Sequence, residues 1–277
     1  MRRTWFALLT ALGLARRGVF IPYRYAATLD APRWRGSYPG IEALFQRHEP
    51  EFRAVLGLIE SQAEALLALG REKPPAPRFE QDWFPRLDAA VAYALVRSHR
   101  PRRIVEIGSG HSTRFLARAA RDGGFACVIT AIDPAPRADI AGLSNVTLLR
   151  APLQDAGLAP FDVLQPGDVL FVDSSHILLA GSDVDIVLNR IIPALPSGVL
   201  LHLHDIFLPD DYPRDWAWRG YNEQQGVAPL LCDGRFEVLF ASHYAATRMK
   251  AALAGTIIAR LPMPEGAYES SLWLHRA

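Results

Sequence analysis

Arg103-Ile-Val-Glu-Ile-Gly-Ser-Gly-His-Ser-Thr113 decides how this chain folds. Arg103–Ile107 is a short, mostly apolar run and is predicted as a strand. Gly108 and Gly110 then let the backbone turn sharply and approach a ligand closely. Ser112 or Thr113 is a natural cap for a helix over Ser112–Arg121, whose Phe115, Leu116 and Ala119 share one face. Strand, glycine turn and helix together form the opening unit of an α/β sheet.

The same texture continues downstream. Cys127–Ile132, Val146–Leu149, Asp168–Val172 and Val199–Leu203 read as further strands, separated by helical stretches such as Val184–Ala194. Phe236–Phe240 and Leu272–His275 add two more, for seven in all. Near-continuous Val, Ile and Leu runs are the mark of strands buried on both faces, hence of a mostly parallel sheet with helices on either side. Ligands of such sheets sit beyond the carboxyl ends of the strands, where the strand order reverses. Upstream, Phe52, Leu56, Ile59, Ala63 and Leu66 predict a helix over Glu51–Leu69, with Gly70 as its cap. Residues 18–48 are punctuated by Pro22, Pro32, Gly36, Pro39 and Gly40, and Lys73-Pro-Pro-Ala-Pro-Arg78 is a stiff linker. A helix over Leu87–Ser98 follows. Residues 1–97 are therefore expected to form a mainly helical cap and linker, and residues 98–277 the α/β domain.

Composition narrows the function. The 277 residues carry 30 basic against 29 acidic side chains, with 50% hydrophobic and 21% charged, which excludes a disordered chain. A net charge of +1 offers no basic excess for tracking nucleic acid. Cys127 and Cys232 alone cannot build a disulfide framework or a thiolate zinc site. The apolar run Trp5–Leu14 is about half of the roughly 20 residues a spanning helix needs. Arg16–Arg17 stand where a cleavage site would need small residues. An amphipathic or buried helix at the domain edge is expected there, with no stable membrane insertion and a cytoplasmic location.

Chemistry-bearing residues gather at the strand ends. The first loop lacks the third glycine of the dinucleotide fingerprint, because Thr113 occupies that position. Glu106 would repel a phosphate and suits a cationic ligand group. Asp133, about 20 residues past the glycine loop, stands where an acid grips ribose hydroxyls. Gln154 could meet an adenine edge. Val172-Asp173-Ser-Ser-His176 and His202-Leu-His204-Asp205 follow adjacent strands and should converge. Asp173, His176, His204 and Asp205 could deprotonate a hydroxyl or bind a divalent ion, whereas His202 reads as a buried, hydrogen-bonded histidine. Ser182 or Asp183 reads as a helix cap. The aromatic connection Leu208–Gln224 reads as a lid or substrate wall, with Tyr221, Asn222 and Glu223 as candidate contacts.

Glu106-Ile-Gly-Ser-Gly110, Asp133 and the seven-strand pattern resemble class I S-adenosylmethionine-dependent methyltransferases, over roughly residues 80–277. The finer pattern of Gly-Ser-Gly-His-Ser-Thr, Asp-Ser-Ser-His and His-Asp-Ile-Phe-Leu-Pro looks like a bacterial small-molecule branch. The resemblance implies a Rossmann-like sheet whose final strand lies antiparallel between strands five and six. It also implies a cofactor set of Glu106, Gly108, Ser109, Gly110, His111, Ser112, Asp133 and Gln154, with Asp173, His176, His204 and Asp205 as catalytic candidates. Asp173 and Asp205 resemble two acids of the metal-assisted branch that includes catechol O-methyltransferase; the third ligand is open, since His204-Asp205 or Asp205-Ile206 stands where that branch has Asp-Asn. The expectation is S-adenosyl-L-methionine-dependent O-methylation of a small molecule, with His176 or His204 as base, or with a divalent cation. The alternatives are a cofactor-binding protein without methyl transfer and a nicotinamide-dependent oxidoreductase. Nothing here resembles a base-flipping motif, so no nucleic-acid partner is expected, and the oligomeric state stays open.

Overall fold

The computed structural model describes residues 2–19, 21–28 and 36–277. Pro32, one of the loop-marking prolines, lies outside the described residues. The first elements are helical: α1 (Arg2–Ala11), α2 (Pro39–Arg47), α3 (Glu49–Glu60), α4 (Ala63–Ala68) and α5 (Arg86–His99). The α/β layer follows: β1 (Arg103–Ile107), α6 (His111–Asp122), β2 (Val128–Ile132), β3 (Val146–Leu149), α7 (Leu153–Ala156), β4 (Val169–Val172), α8 (Asp183–Ile186) and β5 (Leu200–Leu203). The chain ends with α9 (Glu223–Leu230), β6 (Phe236–Ala241), α10 (Ser242–Arg248), α11 (Lys250–Ala254) and β7 (Leu272–Arg276).

One seven-stranded sheet has the order β3-β2-β1-β4-β5-β7-β6. The first five strands are parallel, and β7 runs antiparallel to both β5 and β6, as the resemblance implies. The chain leaves β1 in one direction for β2 and β3, then returns to lay β4 and β5 on the other side. The carboxyl ends of β1 and β4 therefore flank the switch point, where a crevice must open. Every residue of β4 and β5 is buried, which is why their sequences show no polar alternation except His202.

Two predicted helices are interrupted. The run over 51–69 breaks into α3 and α4 at Ser61–Gln62, where the Ser61 hydroxyl donates to the Leu58 carbonyl and Gln62 leaves helical geometry. The apolar spacing continues across the break, so periodicity does not reveal it. The run over 184–194 holds only one α-helical turn, then π and 3-10 turns; Pro193 within it has no N–H to donate.

The helices before β1 pack directly against the sheet layer. Leu87 to Val96 of α5 are all buried. Phe45 of α2 and Phe52 of α3 join Tyr244 of α10 and Phe240 of β6 in one aromatic cluster, with centroids 5.4–6.2 Å apart. The hydrophobic core runs without interruption from Ile41 to Leu274.

Candidate active site

The glycine turn after β1 is locked from within. Gly108 has φ +78°, and a Cβ there would overlap the carbonyl oxygen of Asp173 at the end of β4. The close approach that demands glycine is thus to the neighbouring strand end. At Gly110, φ is +153° and its N–H donates to the Thr113 hydroxyl at 2.9 Å. Thr113 and Ser112 then donate to the two oxygens of Glu106 at 2.7 and 2.6 Å. Glu106 is completely buried, and that burial, against the two hydroxyl bonds, pushes its pKa up to about 8. Glu106 and Ser112 therefore brace the turn from inside the fold. His111 opens α6 with a buried Nδ1 that has no partner among the described residues. Burial, then repulsion from Arg114 and Arg78, lowers its pKa to about 4, so the ring is neutral.

A cleft of about 200 Å³ opens at the switch point. Gly108, Asp133, Gln154 and Asp173 line it, so three of the predicted cofactor residues meet one catalytic candidate there. Asp133 Oδ2 accepts from the Ser109 N–H at 2.7 Å and hydroxyl at 3.0 Å, while Oδ1 accepts from the Ala135 N–H at 2.7 Å. A carboxylate offers about four lone-pair sites, so one more donor can still be bound. Gln154 donates to the Gly181 carbonyl at 3.4 Å, across the cleft floor.

A second cleft of about 100 Å³ shares Asp173 and Arg137 with the first. His204 and Asp205 stand in its base, and Trp83, Trp216 and Tyr268 are among its walls. Two guanidinium groups lie over indole faces at 4.2 Å, Arg137 on Trp83 and Arg219 on Trp216. Trp216 and Arg219 lie in the aromatic connection read as a lid or substrate wall; Trp83, in the linker before α5, and Tyr268, in the loop before β7, carry no motif in the sequence. A larger opening of about 450 Å³ borders Arg137 on its other side, between residues 135–143 and β3.

Behind both clefts, four carboxyl groups surround two imidazoles. His176 Nδ1 is 2.8 Å from Glu223, and its Nε2 is 3.3 Å from Asp173 and 3.2 Å from Asp205. His204 Nε2 is 3.3 Å from Asp88, and its Nδ1 lies 3.6 and 3.5 Å from Asp173 and Asp205. Burial alone would discharge both rings, but Asp205, Asp173 and their other carboxyl neighbours outweigh it and hold both pKa values well above 6.5. Burial likewise opposes charge on Asp173, yet the two rings keep its pKa well below the usual carboxylate range. His176 and Asp205 hold φ of 61° and 55°, a left-handed conformation uncommon outside glycine. Asp173, His176 and Asp205 bring one ligand atom each within 4.8 Å of one another.

Two members of this cluster were hidden. Glu223, expected at the substrate wall, is buried and orients His176; it also accepts from the Ser174 hydroxyl at 3.0 Å. Asp88 escaped notice as one acid in an apolar helix. It is fully buried and accepts from the N–H groups of Ser270 and Ser271 at 2.9 Å. A lone acid inside the apolar run Leu87–Val96 is the available signal. His202 is buried as expected, stacked 3.7 Å from Phe171 and bonded through Nε2 to Ser271 at 2.9 Å, with Nδ1 unpaired among the described residues. Ser182 caps α8 by accepting from Asp185 N–H, and Asn222 is spent on the backbone of Leu178. The Tyr221 ring packs 4.6 Å from His176.

Residues 105–206 match the family model described as a methyltransferase domain. No curated protein matches the chain in sequence. Among solved structures the chain is similar to the SAH-bound methyltransferase PaMTH1 of Podospora anserina, at 17% identity, covering 94% of this chain and 99% of that one, with a TM-score of 0.44. It is also similar to an O-methyltransferase of Bacillus cereus in complex with SAH, at 14% identity over 100% of both chains, with a TM-score of 0.43.

Proposed function

Starting from the methyltransferase domain of residues 105–206, we propose that the protein transfers a methyl group from S-adenosyl-L-methionine to a hydroxyl of a small molecule. The observation that carries this reading is the sharing of Asp173 between two clefts. One holds the ribose-binding candidate Asp133; the other holds His204 and Asp205. A donor in the first cleft and an acceptor in the second would meet beside Asp173.

When bound, the cofactor supplies an electrophilic methyl group on sulfur. The chain's own task is then alignment, water exclusion and removal of one proton. Asp133 would hold a ribose hydroxyl, and Gly108, packed against the Asp173 carbonyl, would present the backbone of the turn to the donor. The acceptor hydroxyl loses its proton to His204, 3.6 Å from Asp173, once that ring has given up the proton its carboxyl neighbours hold on it, so this route strengthens as the pH rises. His176 is enclosed and acts through Asp173 and Asp205. Arg137 and Arg219, each flat on an indole, suit an acceptor with an aromatic ring and an anionic group.

A divalent cation fits the same cluster. Two carboxyl oxygens and one imidazole nitrogen converge, and Glu223 grips the other nitrogen of that imidazole, the usual support for a metal-ligating histidine. Asp173, His176 and Asp205 would hold it, and it would lower the pKa of the acceptor hydroxyl. His176 must give up its Nε2 proton to ligate, and a divalent ion would replace the positive charge that proton supplies among the carboxyl groups.

Calorimetric titration with the demethylated cofactor tests the donor site. Asp133→Ala should weaken binding roughly 10–100-fold. His204→Ala should bind as wild type and lose roughly 10²–10⁴-fold in turnover. Turnover is read by labelled-methyl transfer to hydroxyaromatic acids and their neutral amides. Unchanged affinity in Asp133→Ala removes the donor-site assignment; tight cofactor binding with no methylated product across that panel favours a binding protein. Metal analysis of the purified protein, with chelation before the assay, separates the two routes for the proton.

A further inference from the structure

The segment before α2 stands apart from the rest of the molecule in both charge and exposure. Residues 1–29 contain five arginines, at 2, 3, 16, 17 and 24, and no acidic residue or lysine. The remaining 248 residues carry 25 basic against 29 acidic side chains. Among the described residues, no member of the hydrophobic core precedes Ile41. Yet the segment is rich in large apolar side chains, and most of those described face outward, with Phe6 and Leu9 half-buried. Trp5 and Leu8 on α1 and Leu12, in the turn just past its end, fall at spacings of three and four residues along one side; they are 57%, 48% and 60% exposed. Beyond the helix, Leu14, Val19, Ile21, Tyr23 and Tyr25 are all exposed as well. Of the expected amphipathic or buried helix at the domain edge, the helix is present and the buried alternative is not met.

This segment is folded locally. Gly13, at φ +68°, ends α1, and the N–H groups of Leu14 and Ala15 both return to the Leu9 carbonyl. Thr10 closes the turn: its hydroxyl donates to the Phe6 carbonyl and accepts from the Arg17 N–H, both at 2.9 Å. Arg16 and Arg17 are thereby held at the end of the helix, exposed. Arg24 lies over the Tyr25 ring at 5.5 Å, and Tyr23 meets Tyr25 edge-on.

We propose that residues 1–25 dock the protein on an anionic phospholipid surface. An exposed apolar stripe, aromatic residues with polar tips, arginines and a complete lack of acids is the combination that suits the boundary between headgroups and acyl chains. Trp5, Leu8 and Leu12 enter that boundary, and Arg16, Arg17 and Arg24 meet lipid phosphates. No helix of the described residues is long and apolar enough to cross a membrane, so the contact is peripheral. The charge pattern selects this occupant over a neutral apolar partner, for which five arginines would be a cost.

The test is co-sedimentation of the full-length protein with vesicles of phosphatidylcholine, alone or mixed with phosphatidylglycerol. Binding is expected on the mixed vesicles, weaker by roughly tenfold or more on phosphatidylcholine alone and in high salt. Trp5→Ser/Leu8→Ser/Leu12→Ser should abolish it. Arg16→Gln/Arg17→Gln/Arg24→Gln should weaken it roughly tenfold and remove most of the salt dependence. Both variants change exposed residues, and unchanged thermal melts confirm the fold. Binding to neither vesicle, equal binding to both, or binding unaffected by the substitutions would overturn the proposal. So would a lipid-free dimer that the triple serine variant dissolves, since the stripe would then belong to a second copy.

Discussion

Glu106 shows how a single side chain can set a pH dependence without touching solvent. It lies at the end of β1 with no exposed surface, bonded to Ser112 and Thr113. Burial, aided by repulsion from Asp173 and Asp133, pushes its pKa up to about 8 from an ordinary 4.5. Between those values the folded state keeps a proton that the unfolded chain has released. The contribution to stability is therefore complete below pH 4.5 and is lost as the pH climbs through 8. Glu106→Gln keeps an acceptor oxygen and removes the titration. Thermal melts between about pH 5 and pH 9 should show the wild type losing on the order of a few kcal/mol more than the variant. Parallel curves would mean that Glu106 is not the group responsible. At this same scale, the sequence named Asp133, Asp173, His204 and Asp205 because each follows a strand, and strand ends are readable from apolar runs. Asp88 and Trp83 reach the site from before β1. Their role depends on how α5 packs under β7, which local patterns do not encode.

Among the elements, the turn after β1 couples the two halves of the sheet. Gly108 has to be glycine for two separable reasons: its φ of +78°, and the Asp173 carbonyl lying where a Cβ would go. Gly124 has φ +62° but open space around its missing Cβ, so it isolates the first reason. Gly124→Ala should cost about 1 kcal/mol and Gly108→Ala about 2–4 kcal/mol, the difference arising from displacement of the β4 end. Melting temperatures should fall by a few degrees and by roughly 5–10 °C respectively. Equal losses would show that the loop yields easily and that Asp173 is not held by it. Strands were read to within a residue at each end because a doubly buried strand is a continuous apolar run with polar flanks. Helices were read less well. The break at Ser61–Gln62 turns on one hydroxyl competing for a carbonyl, and the π turn at Val187–Ile191 accommodates Pro193, neither of which disturbs the spacing of apolar residues.

At the level of the whole molecule, the question is which parts of the chain before β1 the sheet needs. The expected division at residue 97 separates α5 from the strands, yet α5 carries ten consecutive buried residues and supplies Asp88, which accepts from Ser270 and Ser271 beside β7. Arg86 pairs with Glu269 at 2.8 Å, and Glu60 accepts from the Ile257 N–H at 2.7 Å. These links join residues nearly two hundred positions apart. Removing residues 1–97 would strip one face of the sheet and leave those backbone and side-chain groups unpaired, a loss of many kcal/mol against a net stability of about 5–15 kcal/mol. Removing residues 1–25 takes away no core residue among those described. We therefore expect the chain beginning at residue 26 to melt within a few degrees of the full-length protein, and the chain beginning at residue 98 to show no cooperative transition. Circular dichroism melts of both truncated chains decide the matter. A cooperative, soluble 98–277 fragment would make the helical region a true cap, and the burial of Asp88 beneath His204 would then be incidental to the fold of the active site.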